Sequence, residues 1–262
     1  MATQGALHGL RVLVTRPAGQ ADRLCGLIET AGGEAVCLPA IDILDPVDVS
    51  HLEVVVDALA SYDLAVFISV NAVTRGMAFI SLHRKWPHGV KVASVGARSA
   101  AALARYGLTV DLVPPHHFNS EALLALDALQ DMTGKRVVIF RGNGGRERLR
   151  DTLVARGAEV DYAEVYRRAC PVVDQQSIAP YWQSGALDAI TVTSNETLQN
   201  LFDMAGMEGQ RRLVERPLVV VSQRQVVLAA RLGFKGSPLV AENASDEAIV
   251  MALKKLPRAK TR

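Results

Sequence analysis

Arg11-Val-Leu-Val-Thr-Arg-Pro17 returns, about 125 residues later, as Arg136-Val-Val-Ile-Phe-Arg-Gly142. Each is a short β-branched run that ends in a polar turn, and the correspondence keeps step outward from there. Leu64-Ala-Val-Phe-Ile-Ser-Val-Asn71 matches Asp188-Ala-Ile-Thr-Val-Thr-Ser-Asn195, Val92-Ala-Ser-Val-Gly-Ala-Arg98 matches Val219-Val-Val-Ser-Gln-Arg224, and Ser120-Glu-Ala-Leu123 matches Asp246-Glu-Ala-Ile249. A period this long marks a duplicated domain, because solenoid units run to only a few tens of residues. Two similar halves make a cleft, and clefts hold ligands.

Eight β-branched runs are predicted as strands, around 12–15, 65–69, 92–95, 110–113, 137–140, 190–193, 218–221 and 239–241. Most lack strict alternation, which suits parallel strands covered by helices on both faces. Between them, Ala21, Leu24, Ile28 and Ala31 fall on one helical face before Gly32-Gly33. Ala100, Leu103 and Ala104 do so before Gly107, and Leu149, Leu153 and Val154 before Gly157. Strand, turn, helix and glycine stop recur. That is the alternation of a doubly wound α/β fold, whose ligand lies beyond the carboxyl ends of the strands.

Val36-Cys-Leu-Pro-Ala-Ile-Asp-Ile-Leu44 and Val160-Asp-Tyr-Ala-Glu-Val-Tyr-Arg-Arg168 alternate apolar and polar residues instead. Alternation implies one exposed face, and Pro39 and Pro171 confine such strands to an edge. They are expected to be connecting strands that pair with each other, with Tyr162 and Tyr166 on the same strand face. The chain then crosses twice, giving domain one at 1–36 plus 172–262, domain two at 45–159, and linker strands at 37–44 and 160–171. The predicted fold class is α/β: two similar doubly wound parallel-sheet domains joined by a two-stranded β linker, with a cleft between them.

Composition agrees with this organisation. The 262 residues suit two domains of about 125, and 49% hydrophobic with 21% charged residues is ordinary for a folded α/β chain. No apolar stretch approaches the roughly 18 residues of a membrane span, and Met1-Ala-Thr-Gln-Gly-Ala-Leu-His8 lacks the layout of a signal peptide. A cytoplasmic protein is expected. Cys25, Cys37 and Cys170 are too few and too widely spaced for a disulfide framework or a cysteine-rich zinc site. The net charge of +2 does not suggest a nucleic-acid surface, and 254–262 reads as a solvated basic tail. Of the 29 basic side chains 22 are Arg, whose planar fork matches a carboxylate.

A polar turn follows most predicted strands: Thr15-Arg16-Pro17, Ser69-Val70-Asn71, Gly96-Ala97-Arg98-Ser99, Arg141-Gly-Asn-Gly-Gly-Arg146, Thr193-Ser194-Asn195 and Ser222-Gln223-Arg224. Each opens a helix, exposing backbone N–H groups at the positive end of its dipole. Taken singly, such residues are ordinary N-caps; several facing one cleft suggest anion binding. The glycines at 142, 144 and 145 fit neither a P-loop nor a dinucleotide fingerprint. His116-His117 lacks the further ligands of a metal site. No nucleophile–base constellation is evident.

Val12-Leu-Val-Thr-Arg-Pro17 with Gln20-Ala21, Phe67-Ile-Ser-Val-Asn-Ala-Val73, Val95-Gly96, Asn119-Ser-Glu-Ala-Leu123, Phe140-Arg-Gly-Asn-Gly-Gly-Arg146, Val165-Tyr-Arg-Arg168 and Ala189-Ile-Thr-Val-Thr-Ser-Asn195 together resemble the uroporphyrinogen-III synthase family. The resemblance implies an enzyme, a cyclising lyase of tetrapyrrole (haem) biosynthesis that closes hydroxymethylbilane with loss of water and inversion of ring D. It further implies a monomer with no cofactor or metal, no membrane or nucleic-acid partner, and transient hand-over of substrate from the preceding enzyme. Tyr166 would lie near the departing hydroxyl. Thr15, Arg16, Ser69, Val70, Asn71, Gly96, Arg98, Ser99, Asn119, Ser120, Arg141, Gly142, Asn143, Ser194, Asn195 and Ser222 would hold the substrate, largely through backbone contacts. Ser222-Gln-Arg-Gln225 departs from the family pattern; Arg224 and Gln225 either contact a carboxylate or cover the cleft rim. The competing reading is a non-catalytic two-lobed cytoplasmic binding protein for a small anionic ligand.

Overall fold

The computed structural model describes residues 6–256 apart from His117, Arg146 and Ser184. One of the two loop histidines, the last residue of the glycine-rich turn and the basic tail beyond residue 256 therefore lie outside the described residues. The strands are β1 (Arg11–Val14), β2 (Glu34–Cys37), β3 (Asp42–Leu44), β4 (Leu64–Phe67), β5 (Lys91–Ser94), β6 (Arg136–Gly142), β7 (Glu159–Ala169), β8 (Ala189–Thr191), β9 (Leu218–Val220) and β10 (Leu239–Val240). The helices are α1 (Asp22–Thr30), α2 (Ser50–Asp57), α3 (Val70–His83), α4 (Ala97–Ala104), α5 (Ser120–Leu124), α6 (Arg148–Ala155), α7 (Gln175–Ile178), α8 (Asn195–Met204), α9 (Gly206–Leu213), α10 (Gln223–Arg231) and α11 (Asp246–Leu253). They form two compact units, Met1–Asp42 with Ala169–Arg262, and Ile43–Arg168.

The first unit holds a five-stranded sheet in the order β10-β9-β8-β1-β2, with every pair parallel. Successive residues of a strand point to opposite faces, so Leu13, Ile190 and Val220 enter one core while Val12, Val14 and Val219 enter the other. Both faces are covered, which is why these strands read as unbroken apolar runs. On α1, Leu24 and Ile28 are fully buried in the second of these cores. The helix stops at Gly32, whose φ of +88° terminates it at little steric cost. The Cys25 and Cys37 sulfurs lie 3.1 Å apart as free thiols, and burial, with Cys37 beside it, pushes the Cys25 thiol up to about 12.

The second unit's sheet runs β3-β7-β6-β4-β5, with β5, β4, β6 and β7 mutually parallel. Phe67 and Phe140 stack with centroids 4.5 Å apart. Gly76 of α3 lies against them; a Cβ there would meet Phe140 at 3.1 Å and Phe67 at 3.3 Å, so the residue must be small. The duplication is visible in the strand order: β9-β8-β1-β2 of one sheet repeats as β5-β4-β6-β7 of the other.

Seven of the eight expected strands form. The exception is 110–113, where only Leu112 bridges to Ala93. Leu112 donates to Val92 O and accepts from Ser94 N–H, but the next rung would need an N–H from residue 114, which is proline. The segment over 36–44 is not one strand either. Its beginning lies in β2 beside β1, its end forms β3 beside β7, and between them Leu38 and Ala40 turn into the first unit's core around Pro39. The second alternating segment is part of β7, which runs alongside β6 as a member of the second sheet.

Candidate active site

In an open doubly wound sheet, ligands bind beyond the carboxyl ends of the strands where the strand order reverses. In the second unit that point lies between β4 and β6. Ser69 follows β4 there as the N-cap of α3, with Oγ accepting the Ala72 N–H at 3.1 Å. β6 ends at Gly142, and beside it β7 carries a bulge: Arg141 faces Glu164, yet Gly142 faces Tyr166, leaving Val165 over. The bulge reverses the face of the strand. Tyr162 and Val160 pack with Val137 and Ile139, whereas Tyr166 joins Ala163, Phe67 and Phe140 on the opposite side. The expectation that both tyrosines share a face is corrected accordingly.

The Tyr166 ring lies on Gly142, where a Cβ would come within 2.4 Å of it. Asn143 anchors the same stretch twice, donating its N–H to Tyr166 O at 3.0 Å and accepting the Arg168 N–H on Oδ1 at 2.8 Å. Tyr166 is 7% exposed, and its hydroxyl lies 3.3 Å from Ser69 Oγ. A phenol is thus fixed in ring, backbone and hydroxyl at the reversal point of the sheet.

Arg141, buried and carrying a formal charge, is tied to its own loop. It donates to the carbonyls of Gly142 and Gly144, pairs with Glu147 at 3.2 Å and lies over the Tyr162 ring at 4.3 Å. The Tyr162 hydroxyl donates to Glu147, which holds that carboxyl below its usual range with help from Arg141. Tyr162 itself is pushed up to about 12, first by burial and then by Glu147. Arg141 therefore shapes the glycine-rich turn from within.

The first unit's reversal point lies between β1 and β8. Thr15 is buried, with Oγ1 donating to Thr191 O at 2.7 Å. Arg16 pairs with the nearly buried Asp246 at 2.7 Å, at the first turn of α11, and donates to Ala244 O. Ser194 caps α8 by accepting the Thr197 N–H, and Asn195 opens that helix, exposed. Ser222 precedes α10 and donates to Gln225 Oε1. Gln225, 1% exposed, also accepts the Val221 N–H and reaches Val192 O. It serves the interior and not a rim, whereas Arg224 is exposed. The spacing of Ser222 and Gln225 is that of a capping box, a signal readable in the sequence.

The remaining candidates stay in the second unit. Val70 and Asn71 open α3, Gly96 precedes α4 with Arg98 exposed and Ser99 buried, and Asn119 caps α5 at Ser120 by accepting the Ala122 N–H. Ser69, Gly142, Asn143 and Tyr166 are brought together directly, and Arg141 folds into the adjoining loop. Among the described residues, no group of three or more His, Cys, Asp or Glu side chains could hold a metal.

Polar turns at the reversal points of two duplicated parallel sheets define a class: two-unit doubly wound α/β proteins with sites at the carboxyl ends of their strands. Residues 22–251 match the family described as Uroporphyrinogen-III synthase HemD. The uroporphyrinogen-III synthase of Escherichia coli strain K12 is 36% identical over 93% of this chain and all of its own length, and that of Salmonella typhimurium 34% identical with the same coverage. A solved Thermus thermophilus uroporphyrinogen III synthase shares the fold with a TM-score of 0.58 at 21% identity, covering 94% of this chain and 98% of its own. The chain belongs to the uroporphyrinogen-III synthase family.

Proposed function

We propose that this chain closes hydroxymethylbilane into uroporphyrinogen III, with loss of water and inversion of the last ring. The observation that carries the reading is Tyr166: a phenol buried at a sheet's reversal point, with its ring seated on Gly142 and its oxygen beside the N-cap of a long helix. Hydroxymethylbilane closes unaided to the unrearranged isomer, so the enzyme must hold the chain where the substituted carbon of the last ring reacts. Tyr166 donates its proton to the departing hydroxyl, which leaves as water. The phenol is restored by the proton that the attacked ring releases.

The substrate carries carboxylates on every ring, which the helix N-termini beyond Ser69, Gly96, Ser194 and Ser222 suit through backbone N–H groups. Arg98 adds an exposed guanidinium. Arg16 and Arg141, engaged with Asp246 and Glu147, act by shaping their turns.

The test supplies freshly made hydroxymethylbilane and separates the products as oxidised porphyrins. Isomer III is expected; isomer I alone, at the spontaneous rate, overturns the reading. Tyr166→Phe is expected to lower turnover at least about tenfold, or ~1.4 kcal/mol of transition-state stabilisation. Undiminished turnover in that variant would remove Tyr166 from the chemistry.

A further inference from the structure

We infer that Ser69 is a positioning residue that couples the positive end of α3 to the Tyr166 oxygen, so that the phenolic proton is directed to the substrate. The inference rests on the reading of Tyr166 given above and adds a hydrogen-bond direction to it. A serine hydroxyl has one proton and two acceptor sites. One acceptor site of Ser69 Oγ is taken by the Ala72 N–H at 3.1 Å, and Tyr166 Oη is the next partner at 3.3 Å.

Two directions satisfy this pair. If the phenol donated to the serine, its only proton would be spent within the protein. If the serine donates to the phenol oxygen, the phenolic proton remains for the departing hydroxyl. The second direction gives a chain from Ala72 N–H to Ser69 Oγ, from Ser69 Oγ–H to Tyr166 Oη, and from Tyr166 Oη–H to the leaving group. Each donor polarises the next. As the proton leaves, charge develops on Tyr166 Oη, where the serine proton and the α3 dipole stabilise it. A separation of 3.3 Å is long for an O–H···O bond, and such contacts shorten in the substrate complex. The rest of the site leaves the hydroxyl little freedom: the bulge in β7 sets the ring's face, Gly142 its height and Asn143 its backbone.

Three variants separate this role from simple helix capping. Ser69→Gly deletes the hydroxyl but leaves an N-cap residue that costs only a few tenths of a kcal/mol, so its melting temperature should stay close to wild type. Its kcat is expected to fall about fivefold or more, with KM nearly unchanged and a larger share of isomer I in the product. Ser69→Thr, which keeps the hydroxyl, should recover most of the loss. In the Tyr166→Phe background, Ser69→Gly should cost nothing further, because the two residues act as one unit. Wild-type kcat in Ser69→Gly overturns the inference. So does an equal loss in both backgrounds, which would make Ser69 a direct substrate contact while leaving the role of Tyr166 intact. If Tyr166→Phe alone turns over normally, the reading of Tyr166 and the inference fall together.

Discussion

Gly142 and Tyr166 constrain each other. The ring occupies the space that any side chain at 142 would fill, with Cε2 at 2.4 Å from an added Cβ. Gly142→Ala must displace the ring or the strand end, a strained overpacking that should destabilise by about 1–3 kcal/mol. Turnover should fall with it as the phenol leaves its position. Thermal melts and the porphyrin assay would check this, and an unaltered melt with full activity would mean that the ring is not held where it is described. At this scale the sequence is only partly legible. Arg16 and Arg141 have the chemistry of carboxylate readers, but Arg16 meets its distant partner Asp246 only through tertiary packing, and Arg141 is folded back onto Glu147 by the geometry of its own glycine-rich turn. The face of Tyr166 was hidden for another reason: a single extra residue in β7 reverses the parity on which any strand reading depends.

At the scale of elements, the two sheets begin with the same device. Asp188, just before β8, accepts the Arg11 N–H at 2.8 Å, and Asp63, just before β4, accepts the Arg136 N–H at 2.9 Å. That bond and Lys135 hold the Asp63 carboxyl below its ordinary value of 3.8. A carboxyl depressed in the folded state stabilises above the unfolded value, and the contribution disappears as pH falls through the folded one. Asp63→Asn should therefore cost up to about 1 kcal/mol at neutral pH, the site being well exposed. The gap in melting temperature from wild type should close below about pH 4. A gap that persists at pH 2 would assign the loss to something other than the carboxylate. Elements were the most legible scale, because apolar runs and glycine stops act locally. The strand at 110–113 failed for an equally local reason, the proline that follows it.

At the scale of the molecule, the unit Ile43–Arg168 is one continuous stretch with a sheet and a core on each face. Produced alone, it should fold with a cooperative thermal transition by far-UV circular dichroism. It should not make isomer III, since it lacks the helix N-termini beyond Ser194 and Ser222 that are proposed to hold substrate carboxylates. A non-cooperative melt would show that its stability depends on the rest of the chain. The first unit has no such option, since its strands come from both ends of the sequence. Each sheet takes β1 and β2, or their counterparts β6 and β7, from one copy of the repeat and the remaining strands from the other. Because β4 and β5 are the counterparts of β8 and β9, one copy carries the strands of the shared four-stranded order, and a single-copy ancestor could have completed one such sheet by itself. In the present chain the two copies have instead traded strand pairs, the arrangement of a domain swap held within one polypeptide.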